Sequence, residues 1–220
     1  ATVNNAMPKE PVTAEQMARI MGREESWVRQ TLEDMANKGL CIALDMGGTV
    51  IYKSARFMVG ILEFQFMPGR VTERDKEIAR LIHAYKSAFN KTKPFDQNPK
   101  VPSIRVIPVA KTIQAQDVVH TYDQVQTYID ENDQIAVCAC YCRHAALLRG
   151  EDIHGLPNDT CMQFGPSAQF AIERLGARKV SRQEAREVLD RAEAAGLIHM
   201  SQNMAEGIGF ICNCDRWHCT

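Results

Sequence analysis

At 220 residues, 45% hydrophobic and 24% charged, the chain is long enough for one substantial core or two smaller ones, and two domains are expected. A net charge of -1 and an isoelectric point near 6.7 exclude a global attraction to nucleic acid or to an anionic membrane, so any such binding has to be local. No run of about 18 apolar residues occurs, so no membrane span is expected. Residues 1–10 lack the basic and apolar blocks of a secretory leader, so the chain is expected in the cytoplasm.

Thr13-Ala14-Glu15-Gln16 fits a capping box and opens a helix over about 14–21, stopped by Gly22. A second helix is predicted over about 24–37, with Trp27, Val28, Leu32 and Met35 on one face and Gly39 as its stop. Leu40 to Leu44, the turn Asp45-Met46-Gly47-Gly48 and Thr49 to Lys53 read as a hairpin. Helix, turn, helix and hairpin in that order predict a winged helix over residues 1–68. Residues 1–70 carry eight basic and eight acidic side chains. Since DNA affinity draws heavily on phosphate neutralisation, this balance disfavours DNA and favours protein docking.

Residues 55–67 are apolar on nearly every side, with Phe57, Met58, Ile61, Leu62, Phe64, Phe66 and Met67, and are expected in the core or in a homo- or hetero-oligomer interface. Pro68-Gly69 breaks the chain. Thr72 with Asp75 opens a helix to about Phe89, carrying a stripe of Ile78, Leu81, Ile82 and Tyr85. Residues 90–102, with Pro94, Pro99 and Pro102, form the expected linker, so that 69–103 is a helix-and-linker segment. Strands are predicted at Ile104 to Val109 and Gln134 to Val137, and a capping box at Thr121 starts a helix to about Asp130.

Residues 104–220 hold seven of the eight cysteines: Cys138, Cys140, Cys142, Cys161, Cys212, Cys214 and Cys219. In a cytoplasmic chain they read as free thiols or metal ligands rather than structural disulfides. Soft thiolates converging from separate loops suit an iron-sulfur cluster, with zinc as the alternative. If residues 138–142 are extended, their three thiols face one concavity. Cys161 stands shortly before a helix running to Leu175, whose dipole would favour its anion. Ser181-Arg182-Gln183-Glu184 caps another helix, with Ala185, Val188, Leu189 and Ala192 turned inward before Gly196, after which Leu197 and Ile198 pack. His144 and His218, beside ligand cysteines, are candidate ligands or donors to cluster sulfur, and Arg143 either offsets cluster charge or forms a surface salt bridge. Cys41, in the hairpin, reads as a buried apolar residue. No phosphate-binding glycine loop, dinucleotide fingerprint or catalytic triad occurs, so no substrate chemistry is assigned.

Cys140, Cys142 and Arg143, then Cys161 with Phe164-Gly165, then Gly196-Leu197-Ile198-His199 and Asn203, and finally Ile211-Cys212-Asn213-Cys214 together resemble the 4Fe-4S-binding redox proteins of anaerobic bacteria and archaea that carry an N-terminal winged-helix-like module. The resemblance runs over nearly the whole chain. It implies an α+β protein in which a winged helix-turn-helix precedes a mainly helical, cysteine-rich domain with a small sheet. It also implies one 4Fe-4S cluster, with electron transfer or a redox-complex subunit as the role and a redox partner docked by the N-terminal module. Members of that group often show further cysteines after the last motif, where this chain has Asp215, Trp217 and His218 before Cys219, and often continue into a ferredoxin-like domain that this sequence does not contain. The expected ligands are Cys142, Cys161, Cys212 and Cys214, with Cys140 and Cys219 next; Arg143, His144, His218 and Asn213 are expected around them. The alternatives are a cluster-dependent winged-helix regulator that senses redox state and a zinc-stabilised interaction protein.

Overall fold

The computed structural model describes residues 2–54, 61–92, 104–107, 125–203 and 207–218. The described chain is α+β and contains no helix long and apolar enough to cross a membrane.

The N-terminal part begins with a short helix α1 (Thr2–Ala6) and a two-residue strand β1 (Val12–Thr13), neither of which the sequence announces. Helix α2 (Ala14–Met21) starts where the capping box places it: the Gln16 amide donates to Thr13 Oγ1 at 3.2 Å and the Thr13 amide to Gln16 Oε1 at 2.9 Å. Gly22, at φ 60°, ends it in the left-handed region where a Cβ is disfavoured. Helix α3 (Glu25–Asn37) follows. Strands β2 (Cys41–Asp45) and β3 (Val50–Ser54) pair as the expected hairpin, closed by the Met46 amide on the Thr49 carbonyl at 2.9 Å and the Gly48 amide on Asp45 Oδ1 at 2.7 Å. β1 adds to β3, giving a sheet in the order β1-β3-β2. Met17, Val28, Leu32, Ala36, Cys41, Ala43 and Tyr52 fill the core between helices and sheet. Trp27, expected on the inner face of α3, is 49% exposed, because α3 turns Val28, Leu32, Met35 and Ala36 inward and Trp27 lies off that stripe. Burial pushes the Cys41 thiol up to about 12, as expected of a small apolar core residue.

Helix α4 (Ile61–Phe66) and helix α5 (Glu73–Thr92) come next. Leu62, Phe66 and Met67 are buried within the chain, so these three are taken up by intrachain packing; residues 55–60 lie outside the described residues. Thr72 caps α5 through Asp75 as predicted, and the helix continues three residues past the expected Phe89. Its inner face is Ile78, Ala79 and Ile82, whereas Leu81 and Tyr85 of the expected stripe are exposed. The linker beyond Thr92 and the capping box at Thr121 lie outside the described residues.

The C-terminal part is built on one antiparallel sheet of six short strands in the order β4-β8-β9-β6-β5-β7. In chain order its elements are β4 (Ile104–Val106), α6 (Val125–Asp130), β5 (Ile135–Cys138), α7 (Tyr141–Leu148), β6 (Cys161–Phe164), α8 (Gly165–Leu175), β7 (Arg178–Lys179), α9 (Arg182–Ala194), β8 (Ile198–Gln202) and β9 (Phe210–Cys214). Alternation along the strands divides two cores. Ile135, Val137, Met162, Phe164 and Ile211 face α6 and α9, while Ala136, Cys138 and Cys161 face α8 and Met67. Ser181 caps α9 with Glu184, and Ala185, Val188, Leu189 and Ala192 are buried as expected. Leu197 packs, but Ile198 is 51% exposed as the first residue of β8.

The two parts meet where α3 lies against α8. Arg174 Nη1 of α8 donates to Glu33 Oε2 at 2.5 Å and to Asn37 Oδ1 at 3.1 Å, and Tyr52 Oη donates to Glu33 Oε1 at 2.5 Å. Burial opposes the charge on Glu33, but these donors outweigh it and hold the carboxyl below its ordinary value of 4.5. A depressed folded-state value means the contribution is present above about pH 4.5 and lost as pH falls through the lowered value. Glu33→Gln is therefore expected to lower stability by on the order of 1 kcal/mol at pH 7 and by progressively less toward pH 3, measured by urea unfolding across pH. Leu32→Ala, at a fully buried position, is expected to cost about 3 kcal/mol in the same assay, and Trp27→Ala under about 1 kcal/mol.

Candidate functional site

Strand register brings distant cysteines onto one face of the sheet. Cys138 of β5 sits opposite Cys161 of β6, and the pairing of Met162 with Ile211 carries Cys161 to the place opposite Cys212 of β9. Cys214 lies two residues further along β9 and so on the same face. The β5 strand ends at Cys138; Cys140 N-caps α7 and Cys142 lies in its first turn. Residues 138–142 therefore do not form one extended face, and Cys138 parts from Cys140 and Cys142.

Cys140, Cys142, Cys161, Cys212 and Cys214 line a single narrow cleft together with Tyr141, Arg143, Asn213 and Asp215. Cys138 is left behind Cys161, buried under α8, with its Sγ 3.6 Å from the Cys161 carbonyl. Cys219 lies outside the described residues. No disulfide joins the described cysteines.

The thiols share charge unevenly. Hydrogen bonds from Cys138 and Cys212, and from Gln163 Nε2 at 3.4 Å, hold the Cys161 thiol well below its ordinary range despite its burial. The same bond to Cys161, then burial and the Cys161 charge, pushes Cys138 up; bonds to Cys161 and Cys214 with burial do so for Cys212. Cys140 is pushed up by its bond to Cys142 and by burial, with the Arg143 charge acting in the opposite sense. Like charges this close repel, so ionising one thiol of the group disfavours ionising its neighbours. Cys161 opens β6 and is separated from α8 by that strand, so neighbouring thiols rather than the helix dipole stabilise its anion.

The polar residues around the cleft are structural in a specific way. Arg143 is 1% exposed rather than part of a surface salt bridge. Its Nε donates to the Pro157 carbonyl at 3.0 Å, Nη2 to Thr160 Oγ1 at 2.6 Å, and Nη1 to the Asn213 carbonyl at 2.9 Å and to Asp215 Oδ2 at 3.2 Å. Asn213 turns its side chain to the opposite face of β9, where Nδ2 donates to the Thr160 carbonyl at 2.5 Å and Oδ1 meets His199 Nδ1 at 2.5 Å. His144 is 5% exposed and faces away from the thiols: its Nε2 donates to the Arg70 carbonyl at 2.7 Å, which leaves Nδ1 to accept from Asn158 Nδ2 at 3.4 Å. His218 Nδ1 meets Asp215 Oδ1 at 3.1 Å, so neither histidine joins the cleft lining.

Thr160, Gln163 and Asp215 were not singled out from the sequence. Only Asp215 left a signal: an aspartate two residues before Trp217 fits an Asx turn, and its Oδ1 accepts the amides of Trp217 and His218, both at 2.7 Å. Burial opposes its ionisation, but these amides, Arg143 and His218 hold it below the usual carboxylate range.

As a donor set the cleft is soft. It offers five thiols, and its one carboxylate is already engaged by Arg143 and the tail amides, which fits a thiophilic centre and not a hard cation. Among the described residues no three His, Cys, Asp or Glu side chains are gathered as a single ion would need. No family model matches the chain, and no curated protein or solved structure matches it.

Removing the Asn213 amide would leave the buried Thr160 carbonyl without a partner and His199 Nδ1 unpaired. Asn213→Ala is expected to cost about 2 to 4 kcal/mol in denaturant unfolding, against under about 1 kcal/mol for Asn203→Ala.

Proposed function

We propose that the chain is an iron-sulfur electron-transfer protein, a carrier or a subunit of a redox complex, holding one 4Fe-4S cluster in the cysteine cleft. The observation that carries this reading is the convergence of five thiols from distant stretches of chain, the 140–142 segment, the start of β6 and the end of β9, on one cleft beside a buried guanidinium. Cys142, Cys161, Cys212 and Cys214 are the proposed ligands, with Cys140 as the nearest substitute. Such a cluster, when bound, takes up and gives back an electron. The chain supplies thiolates, places the Arg143 charge beside them, and leaves Cys140, Cys142, Cys212 and Cys214 only half-buried at a surface that a partner can approach.

The N-terminal elements α2, α3, β2 and β3 support a winged helix as the docking module. Docking of a protein is favoured over DNA because the basic residues of α2 and α3 have acidic neighbours: Arg19 is ion-paired with Glu15 and Arg29 with Glu25. A salt-dependent gel shift with duplex DNA is expected to show no binding at low salt; tight binding with a steep salt slope would favour the regulator instead.

Metal and acid-labile sulfide analysis of protein purified without oxygen, with paramagnetic resonance before and after dithionite, tests the reading. About four irons and four sulfides per chain with a reducible signal are expected. Zinc without sulfide would overturn it in favour of a structural centre. Cys161→Ala and Cys212→Ala are expected to lose most of the iron, while Cys138→Ala, behind the cleft, keeps it.

A further inference from the structure

Each cysteine lining the cleft belongs to one of three stretches that one buried side chain joins. Arg143 lies in the first turn of α7, next to Cys142 and three residues after Cys140. Its Nε and Nη2 reach the loop that leads into Cys161, at the Pro157 carbonyl and Thr160 Oγ1. Its Nη1 reaches the end of β9, at the Asn213 carbonyl between Cys212 and Cys214 and at Asp215 just beyond. The Cys140 amide also donates to the Asn158 carbonyl at 2.6 Å, so the same loop fixes both ends of the 140–143 stretch.

We infer that Arg143 is a positioning residue: it holds the three cysteine-bearing stretches in mutual register by directed hydrogen bonds, and its charge balance with Asp215 is secondary. The planar fork is what the task requires. Three of the four acceptors are uncharged and lie on two separate stretches, and a lysine ammonium, with three donors radiating from one point, cannot reach both. Asp215 alone is a charge partner, and it holds the tail turn through the Trp217 and His218 amides as well. If the pair mattered only as an ion pair, removing both charges together would restore whatever removing one destroys.

Four versions of the full chain purified without oxygen decide this: wild type, Arg143→Lys, Thr160→Val, and the double variant Arg143→Met with Asp215→Asn. For each, the thermal midpoint, the iodoacetamide labelling rate of Cys212 and Cys214 read by peptide mass spectrometry, and iron and sulfide per chain are measured. Cluster loading as a readout presupposes the function proposed above; labelling does not, because it is measured after metal is removed by a chelator under reductant, when no cluster can shield Cys212 and Cys214. Arg143→Lys and the double variant are expected to label about tenfold faster than wild type at both cysteines and to hold less than roughly half its iron. Thr160→Val, which loses one of the four bonds, is expected to label about threefold faster. The double variant is expected to recover neither the wild-type thermal midpoint nor the wild-type labelling rate, because the Pro157 and Asn213 carbonyls and Thr160 Oγ1 still lack their donor. Wild-type labelling and iron content in the double variant would overturn the inference, leaving Arg143 as half of an ion pair. Should Arg143→Lys not fold, wild-type labelling in both Thr160→Val and the double variant has the same meaning. Absence of iron and sulfide in the wild type would remove the cluster reading, and the labelling comparison would still settle the role of Arg143.

Discussion

The register of three antiparallel strands governs the site. Cys138 opposite Cys161, and Cys161 opposite the place taken by Cys212, put residues from three distant stretches on one face. A slip of one residue in either pairing would exchange faces and bring Met162 or Ile211 to the cleft in place of a thiol. That slip is opposed by the apolar pattern itself: Ile135, Val137, Met162, Phe164 and Ile211 are buried under α6 and α9, and turning them over would expose a whole core. The chemistry of one face is therefore maintained by the hydrophobicity of the other.

Register along the sheet does not position the segments outside it. Cys140 and Cys142 belong to a loop and a helix, and their approach to β9 depends on polar contacts that span the ends of the strands. Arg143, Asn213, Thr160 and Asp215 form that layer. Its members are nearly all buried, so each hydrogen bond is made in a setting where its loss leaves an uncompensated group. Such a network suits a site that has to keep several thiols close together without disulfide formation, because it resists their repulsion through neighbouring backbone rather than through the thiols themselves.

The N-terminal part is not independent of this arrangement. Glu33 and Asn37 of α3 grip Arg174 of α8, and α8 covers the sheet face that carries Cys138 and Cys161. Gln163 lies on the same strand and touches both regions: it bonds Cys161 and lines the apolar cleft between α8, Phe64 and the β2 residues Ile42 and Leu44. Gln163 thus stands between the packing around α8 and the cysteine cleft.

Local signals in the sequence determined much of the secondary structure. The capping boxes at Thr13 and Ser181, the glycine stop at Gly22 and the Asp45 to Gly48 turn are short-range chemistry, decided by residues three or four apart. Cysteine spacing likewise marked Cys138, Cys140, Cys142, Cys161, Cys212, Cys214 and Cys219 as a set. Tertiary structure alone decided which cysteines share the cleft, because that depends on pairings between residues far apart in sequence and on where β5 gives way to α7. It separated Cys138 from Cys140 and Cys142, turned His144 toward Arg70 and His218 toward Asp215, and buried an arginine that looked equally suited to the surface. A lone arginine, threonine or aspartate carries no periodicity, so its role becomes visible only when the groups it bonds have been brought together by the fold.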